Sequence, residues 1–421
     1  MVVFIITIVG HWLYILGYIK KSSHKLGETE IVRNIQTLSF IGQNTQSETH
    51  ALRQAQEIDE NIRFEPFLEI SWKPTLTEPN FEPTTTALRN EPIKKKHYDR
   101  VAFLKTHKAG SSTAQNIFLR YGESRNLTFL LARHRKGQYD NVIALQTSLN
   151  ENNTLDPPPN KTFDIVCCHV LYNRKAFQKY MPNDTAYIGI LREPFEQFLS
   201  TLNYFGSYRI FKNKTKSGYK VLEYLNNPWA YERGIKPYWS FTNNRMAVEF
   251  DFPSSLFNQY SKEESTAYLE KLDSEFHLVI ILEYFMESVV LMRRILGWTI
   301  KDILYLKKNV ARRDYSFVDN THRHLYEKFA KLDYDLYNFF HLRLWKKIQE
   351  EGEDFQLELL YFRRLRNEIE DYCMYSSSRY NSYSVQASKW SDSFNVTRLD
   401  CNLLRMHEMG FVSHIRKRQY G

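Results

Sequence analysis

The sequence KTHKAGSST, residues 105–113, joins a short apolar run at 100–104 to a segment of helical character at 113–120. At the amino end of a helix, backbone N–H groups and the helix dipole attract anions. A glycine in such a turn lets the backbone approach a ligand closely. The loop is therefore predicted to hold a phosphate or a similar anion, through Lys105, Lys108, Gly110, Ser111, Ser112 and Thr113.

This loop differs from a Walker A loop, which requires the pattern G-x-x-x-x-G-K-[ST]. No glycine stands five residues before Gly110, and no lysine follows it. A P-loop nucleoside triphosphatase would also use the residue after that lysine to hold Mg²⁺. Because the lysines here precede the glycine, the loop disfavours a nucleoside triphosphatase or a kinase.

A second candidate anion site follows the apolar run at 186–191. Arg192 ends the predicted strand and offers a forked donor that suits a phosphate. Pro194 opens a helix, at a position where its missing N–H costs nothing. Ser200 stands eight residues after Arg192, about two helical turns along, where its hydroxyl is expected to reach the same phosphate. Two such loops in this order are a more specific signal than either loop alone.

The apolar runs that carry these loops are short and alternate with helical segments. Runs without polar alternation are typical of strands buried on both faces, and they lie at 100–104, 127–131, 163–168, 186–191 and 276–282. Strands that alternate with helices predict right-handed βαβ units and an α/β fold with a parallel central sheet. The segment 317–375 is predicted to be rich in helix. The residues from Ser376 onward are rich in Ser, Tyr and Asn and are predicted to form a loop.

The amino terminus carries an apolar run of 18 residues, Val2 to Ile19, just long enough to cross a bilayer as a helix. No small-residue cleavage pattern follows it, so we predict an uncleaved signal-anchor at 1–19, with a cleaved signal peptide or a buried helix as alternatives. Residues 20–97 are polar with scattered prolines and are predicted to form a flexible stem. The folded domain is then expected at 98–375, and a tail at 376–421.

The orientation of this anchor has two opposing signals. Lys20 and Lys21 follow the run and no basic residue precedes it, which by the positive-inside rule would leave the rest of the chain in the cytoplasm. Six N-x-Thr sequons favour a lumenal domain instead, at Asn126, Asn152, Asn160, Asn183, Asn213 and Asn395. We therefore expect a single-pass type II protein whose domain faces the lumen.

The four cysteines and the net charge narrow the class of protein. Cys373 and Cys401 can form a disulfide if the domain faces an oxidising lumen, whereas Cys167 and Cys168 are interpreted as small buried hydrophobic residues. No CxxC pair or His–Cys spacing indicates a zinc site. The net charge of +9 suits anionic partners, but the basic residues are scattered and no DNA-reading module is present, so nucleic acid is not an expected partner.

Together the two loops resemble the 5′-phosphosulfate and 3′-phosphate loops of sulfotransferases that use 3′-phosphoadenosine 5′-phosphosulfate (PAPS). The first loop, with RYGESR at 120–125, is similar to the galactose-3-O-sulfotransferase family. HVLYNRK at 169–175 and YLKKNVARR at 305–313 are similar to the same family. The resemblance covers roughly residues 98–375. It implies a P-loop-like three-layer α/β sandwich with a central parallel sheet.

The resemblance also implies an activity and roles for individual residues. The expected reaction transfers a sulfuryl group from PAPS to the 3-hydroxyl of a terminal β-galactose, on a glycolipid such as galactosylceramide or on a glycoprotein glycan, at the Golgi membrane. Lys108 matches the lysine that contacts the oxygen bridging phosphorus and sulfur, and Lys105, Thr106 and residues 110–113 match the rest of the 5′-phosphosulfate loop. Arg192 and Ser200 match contacts to the 3′-phosphate, and Arg312 and Arg313 match a basic loop over the nucleotide.

The general base for the sugar hydroxyl is assigned first to His169. It follows a predicted parallel strand, at the end where α/β folds place functional groups, and the ordinary pKa of histidine suits proton abstraction near neutrality. The uronosyl 2-O-sulfotransferases are similar in having a histidine at this point. His107 is the second choice and Glu123 the third. PAPS has no triphosphate for a metal to bridge, so no metal is expected.

Two other functions remain as alternatives. A uronosyl or hexosamine O-sulfotransferase acting on glycosaminoglycans would use the same donor, but would be expected to have a longer basic cleft. A lectin-like membrane protein without activity is disfavoured because Lys108, Arg192 and Ser200 are retained. The sequence leaves open whether the acceptor is a glycolipid or a glycoprotein glycan, and whether the chain forms a homodimer.

Overall fold

The computed structural model describes residues 96–133, 139–205, 217–306, 318–376 and 379–421. The predicted signal-anchor at 1–19 and nearly all of the predicted stem lie outside the described residues. Within the described part of the chain, none of the helices combines the length and the apolar character needed to span a bilayer.

Four parallel strands form the central sheet, in the order β2-β1-β3-β4. They are β1 (Val101–Leu104), β2 (Ile165–Val166), β3 (Ala186–Leu191) and β4 (Leu278–Ile281). Val101 pairs with Ile165 on one side and with Ala186 on the other. Every residue of the four strands is buried, so other elements cover both faces of the sheet. The prediction of an α/β fold with a central parallel sheet is confirmed.

Helices follow the strands as predicted. Helix α1 (Ser111–Ser124) follows β1, α2 (Arg174–Tyr180) follows β2, and α3 (Pro194–Phe205) follows β3. The helices after α3 are α4 (Ser217–Asn226), α5 (Pro228–Glu232), α6 (Arg245–Glu249), α7 (Ser254–Asn258), α8 (Lys262–Glu275), α9 (Phe285–Leu296), α10 (Asn320–Phe329), α11 (Lys331–Glu350) and α12 (Glu353–Asp371). Gly297 ends α9 with a φ of 70°, because glycine adopts this left-handed conformation without strain.

The predicted strand at 127–131 is wrong. Only Phe129 forms an isolated bridge there, with Ile165. The backbone N–H of Phe129 donates instead to the side-chain amide of Gln419, and that amide donates back to the Phe129 carbonyl, both at 2.8 Å. A side chain from the last helix of the chain therefore takes the place of a strand partner.

The prediction that the residues after Ser376 form a loop is also wrong. They form a hairpin of β5 (Ser382–Val385) and β6 (Phe394–Thr397), followed by α13 (Arg398–Arg405) and α14 (Glu408–Tyr420). Helix α13 begins with a capping box, in which the Thr397 and Asp400 side chains bond each other's backbone N–H. Helix α14 buries Phe411, Val412 and Ile415. The tail is therefore part of the same folded unit as the sheet.

Cys373 and Cys401 form a disulfide that ties α13 to the end of α12. Cys167 and Cys168 are buried free thiols. Both interpretations of the cysteines are confirmed. The disulfide fixes the start of the C-terminal helices, which pack on α1 directly behind the predicted anion loop.

Candidate active site

The loop between β1 and α1 has the geometry of an anion site. Lys108 has a φ of 59° and Gly110 a φ of 67°, so two residues of the loop adopt the left-handed conformation. Gly110 precedes the first residue of α1 and has no side chain that could cap the N–H groups of the first turn. A Cβ at Gly110 would lie 2.4 Å from Cδ1 of Leu282. Alanine here would require the end of the Leu282 side chain to shift and would be strained at this φ, so the loop geometry favours glycine.

Lys105 points into the protein rather than into solvent. Its side chain is 1% exposed, and its ammonium donates to the hydroxyls of Ser111 and Ser112, each at 3.3 Å. The same ammonium lies 3.0 Å from a carboxylate oxygen of Glu408 on α14, which also accepts a hydrogen bond from Ser112. Burial opposes ionisation of Glu408, but Lys105 and Ser112 outweigh it and lower the pKa of this carboxyl group.

Thr106 and Ser111 stabilise the shape of the loop. The Thr106 hydroxyl donates to the carbonyl of Ile190 on β3 at 2.6 Å, and the Ser111 hydroxyl donates to the carbonyl of Thr106 at 2.6 Å. Thr113 lies in the first turn of α1, and its N–H donates to the Gly110 carbonyl. The donor-binding roles of these three residues stay predictions. The described contacts of their hydroxyls and N–H groups are within the protein.

The two predicted anion loops meet at Lys108. Arg192, directly after β3, donates from Nη1 to the backbone carbonyl of Lys108 at 3.3 Å and from Nη2 to Glu196 at 3.4 Å. The Lys108 ammonium lies 3.8 Å from the centre of the Tyr204 ring on α3. The side chain of Tyr204 is 64% exposed. A cation, a guanidinium and an accessible aromatic face are thus close together at the carboxyl ends of β1 and β3.

Arg323 on α10 supports the start of α3. It forms ion pairs with Glu193 at 3.1 Å and with Glu196 at 2.6 Å. Glu193 also accepts a hydrogen bond from the N–H of Glu196, at the amino end of the helix. Ser200 lies further along α3 and is partly buried. Its contact with a phosphate stays a prediction, and Arg312 and Arg313 lie outside the described residues.

The two candidate bases stack on each other. The rings of His107 and His169 are 3.8 Å apart with an interplanar angle of 23°. Nδ1 of His169 donates to the carbonyl of Lys105 at 2.8 Å, because a carbonyl can only accept. The lone pair of neutral His169 is therefore on Nε2. Burial, with the charges of His107 and Lys105, holds the pKa of His169 well below its usual value.

His107 has a carboxylate partner, whereas no carboxylate of the described residues bonds His169. Nδ1 of His107 donates to Oε1 of Glu249 on α6, and the backbone N–H of His107 donates to Oε2 at 2.8 Å. Burial lowers the pKa of His107, while Glu249 acts in the opposite direction. Phe241 contacts the ring edge-on, with centroids 5.2 Å apart. The lone pair of neutral His107 is then also on Nε2.

Arg245 completes this buried cluster. It lies one turn before Glu249 on α6, and both its Nε and Nη2 donate to Oε1 of Glu249, at 3.1 and 3.0 Å. Arg245 is 1% exposed and Glu249 is 2% exposed. Burial alone would raise the pKa of Glu249, but His107 and Arg245 lower it, so the carboxylate is ionised.

His107, His169 and Glu249 could in principle bind a metal, since their potential ligand atoms lie within 4.8 Å of one another. However, both oxygens of Glu249 already accept hydrogen bonds from His107, and one accepts two more from Arg245. A divalent cation would have to displace the guanidinium from the carboxylate. The carboxylate is therefore better suited to an ion pair with Arg245 and a hydrogen bond from His107 than to metal coordination.

The sequence did not identify Glu249, Arg245 or Glu408 as parts of the site. The spacing of Arg245 and Glu249, four residues apart on a short helix, is the one local signal, since such pairs interact on a helix face. No local signal points to Glu408. Glu123, the third candidate base, pairs instead with His414 and Arg418 on α14.

A sequence model of the galactose-3-O-sulfotransferase family matches residues 64–391. Galactose-3-O-sulfotransferase 3 of Mus musculus and that of Homo sapiens are each 31% identical to the chain over 291 residues, which are 68% of this chain and 64% of the relative. Galactosylceramide sulfotransferase of Homo sapiens is 31% identical over 259 residues, 60% of this chain and 59% of that protein. The chain thus spans slightly less than two thirds of the length of these relatives.

The family match includes both anion loops, the stacked histidines and the buried Arg245–Glu249 pair. It also extends over well more than half of the chain. The chain therefore belongs to the galactose-3-O-sulfotransferase family.

Proposed function

We propose that the chain transfers a sulfuryl group from PAPS to the 3-hydroxyl of a β-galactose at the end of a glycolipid or a glycan. The observation that carries this proposal is the junction of the two anion loops, where Arg192 donates to the carbonyl of Lys108. PAPS carries a phosphosulfate at the 5′ position of its ribose and a phosphate at the 3′ position. Two cationic loops in contact with each other can bind these two groups. Family membership supports the choice of this donor.

The residues of the site suit an in-line displacement. When bound, PAPS supplies a sulfuryl group attached to a phosphate leaving group. Lys108 places a cation where negative charge develops on the departing phosphate oxygen. One of the stacked histidines takes the proton of the sugar hydroxyl on its Nε2 atom, the sugar oxygen bonds to sulfur, and the bond from sulfur to the phosphate oxygen breaks. The proton remains on the imidazole until water removes it.

Galactose is proposed as the acceptor because of the relatives. Relatives of the chain include proteins named galactose-3-O-sulfotransferase 3, galactosylceramide sulfotransferase and galactose-3-O-sulfotransferase 2. The exposed ring of Tyr204 beside Lys108 supports a sugar acceptor, since an amphipathic aromatic side chain offers a face for packing and a hydroxyl for hydrogen bonding. Glycolipid and glycoprotein acceptors both fit this proposal.

We place the domain in the Golgi lumen, held by a type II anchor at 1–19 and a stem that continues to residue 97. The Cys373–Cys401 disulfide supports an oxidising compartment. Five of the six sequon asparagines are exposed, as glycosylation requires, namely Asn126, Asn152, Asn160, Asn183 and Asn395. The sixth, Asn213, lies outside the described residues.

The test is a transfer assay with the purified full-length chain and ³⁵S-labelled PAPS. The acceptors are galactosylceramide, N-acetyllactosamine, heparan and chondroitin. We expect label on the galactosides, lost in Lys108→Ala and retained in Lys346→Ala, which removes an exposed lysine on α11. Label on the glycosaminoglycans alone would contradict the acceptor. The absence of both transfer and PAPS binding would contradict the reaction.

A further inference from the structure

Among the residues that the structure describes, the buried Glu249 is the carboxylate that contacts a candidate histidine base. Its Oε1 accepts from Nδ1 of His107, and its Oε2 accepts from the backbone N–H of the same residue. Two hydrogen bonds from one histidine to one carboxylate fix both the position of the ring and its tautomer. Neutral His107 must carry its proton on Nδ1 and keep Nε2 as the acceptor atom.

Arg245 keeps the carboxylate of Glu249 ionised. A lone carboxylate with 2% exposure would be expected to take up a proton. Arg245 donates two hydrogen bonds to Oε1 and also bonds the carbonyls of Tyr238, Ser240 and Leu145, so its guanidinium is well satisfied. Arg245 therefore keeps Glu249 ionised. The negative charge of Glu249 raises the pKa of His107 and favours its imidazolium form, while burial and the charges of Arg245 and Lys105 lower that pKa.

His169 is held differently. Its Nδ1 donates to a neutral backbone carbonyl, and its ring stacks on His107 at 3.8 Å, next to the ammonium of Lys105. Within the described part of the chain no carboxylate pairs with His169, so a proton on its ring would gain no ion pair there. The charged and titratable groups that face His107 are Glu249, Arg245, Lys105 and His169 itself, and Glu249 is the anion among them.

We propose that Glu249 is a positioning residue that orients His107 and stabilises its protonated form. His107 rather than His169 then accepts the proton of the acceptor hydroxyl. Glu249 acts through Nδ1 of His107 and leaves Nε2 to take the proton. This inference rests on the proposed sulfuryl transfer. It reverses the order of the two candidate bases that the sequence suggested.

Two matched substitutions separate the histidines. In His107→Asn and His169→Asn the side-chain amide can replace the Nδ1 donor of the original ring, but neither variant has a base at Nε2. We expect His107→Asn to lose at least about a hundredfold in kcat, the usual contribution of a general base, and His169→Asn to lose about tenfold or less. The reverse order would overturn the proposal.

Glu249→Gln tests the positioning role. We expect kcat to fall by about a hundredfold and the acidic limb of the kcat/KM profile to move to lower pH by about one unit, because His107 loses the charge that raises its pKa. Glu249→Asp should return the acidic limb to its wild-type pH, with a kcat below that of the wild type. Binding of 3′-phosphoadenosine 5′-phosphate should change less than threefold, which excludes general unfolding. An unmoved acidic limb in Glu249→Gln would contradict the role.

A matched control is Glu358→Gln. Glu358 is also fully buried and paired with arginines, Arg293 and Arg294, but it lies on α12. This variant should lose stability without moving the acidic limb.

A readout that needs no activity is the NMR titration of ¹⁵N-histidine, in which the His107 signal, assigned with His107→Asn, should titrate at lower pH in Glu249→Gln. An inactive wild-type chain would count against the proposed function, while this titration would still decide whether Glu249 acts on His107.

Discussion

The ammonium of Lys105 lies 3.0 Å from a carboxylate oxygen of Glu408, so the first loop of the folded domain is joined to the last helix of the chain. Lys105 is almost fully buried, and 18% of the Glu408 side chain is exposed. The pair also involves the hydroxyl of Ser112, which donates to the same carboxylate. The C-terminal helix is therefore a structural part of the predicted anion site.

A double-mutant cycle should show strong coupling in this pair. We expect Lys105→Met and Glu408→Gln each to lower the free energy of unfolding by about 3 kcal/mol, because each leaves a partly or fully buried charge without its partner. The double variant should lose clearly less than the sum of the two. Urea unfolding followed by circular dichroism measures all three values.

The exposed pair Arg364–Glu368 provides the control for that cycle. Removing either of its members should change the unfolding free energy by less than about 1 kcal/mol. If the losses in unfolding free energy of Lys105→Met and Glu408→Gln add up to that of the double variant, the two side chains do not stabilise the protein through their mutual contact.

Gly110→Ala should damage both folding and donor binding. The new Cβ would lie 2.4 Å from Cδ1 of Leu282, and the φ of 67° is unfavourable for alanine. We expect a lower melting temperature and at least tenfold weaker binding of 3′-phosphoadenosine 5′-phosphate by calorimetry. Adding Leu282→Ala should remove the clash but not the backbone strain, and so restore only part of the loss.

Gly410 is the matched control for this substitution. It lies in α14 without a positive φ, and a Cβ there would meet nothing within 4 Å. Gly410→Ala should therefore raise stability slightly, by about 0.5–1 kcal/mol. Equal effects at the two glycines would show that the loop geometry is not the reason for the loss at Gly110.

Asp333 makes part of the stability depend on pH. It is fully buried on α11, and its Oδ1 accepts a hydrogen bond from the N–H of Ala247, in the first turn of the helix that carries Arg245 and Glu249. Burial raises the pKa of Asp333 to about 7. This pKa is above that of an aspartic acid in the unfolded chain. The contribution of Asp333 to the free energy of unfolding is therefore fully present below about pH 4 and is lost as the pH rises through about 7.

Asp333→Asn removes this dependence, because the amide stays neutral and keeps the acceptor oxygen. Relative to wild type, the free energy of unfolding of the variant should improve by about 2 kcal/mol between pH 5 and pH 8. Urea titrations at the two pH values measure the change. The exposed Asp392→Asn should alter stability by less than about 0.5 kcal/mol at both. A constant difference between Asp333→Asn and wild type would contradict the assigned pKa.

Sequence patterns predicted the centre of the fold well. Strands β1, β3 and β4 lie in continuous apolar runs, because both of their faces are covered. The error at 127–131 has a tertiary cause, since the backbone of Phe129 is bonded by Gln419 from the far end of the chain. The polar composition of the tail predicts a loop, whereas its helices are stabilised by a capping box and a disulfide.

For the site, the sequence pointed to residues in contiguous motifs, and their donor-binding roles stay predictions. Lys108, Gly110 and Arg192 are placed together at the ends of β1 and β3. It could not rank His107 above His169, because the ranking depends on Glu249, which comes from α6. Burial of a carboxylate next to a histidine is decided by tertiary packing, and a single sequence does not encode it locally.

The Cys373–Cys401 disulfide should be needed for the C-terminal helices to stay docked on α1. It closes a loop with a sequence separation of 28 residues, for which a contribution of about 3–4 kcal/mol is expected. Cys373→Ala/Cys401→Ala should therefore lower the melting temperature and expose α14 to hydrogen exchange. Because Glu408 begins α14, binding of 3′-phosphoadenosine 5′-phosphate should weaken in the same variant. Dithiothreitol should reproduce both effects in the wild-type chain and have none on the double variant. A reductant effect that persists in the double variant would assign the stabilisation to something other than this bond.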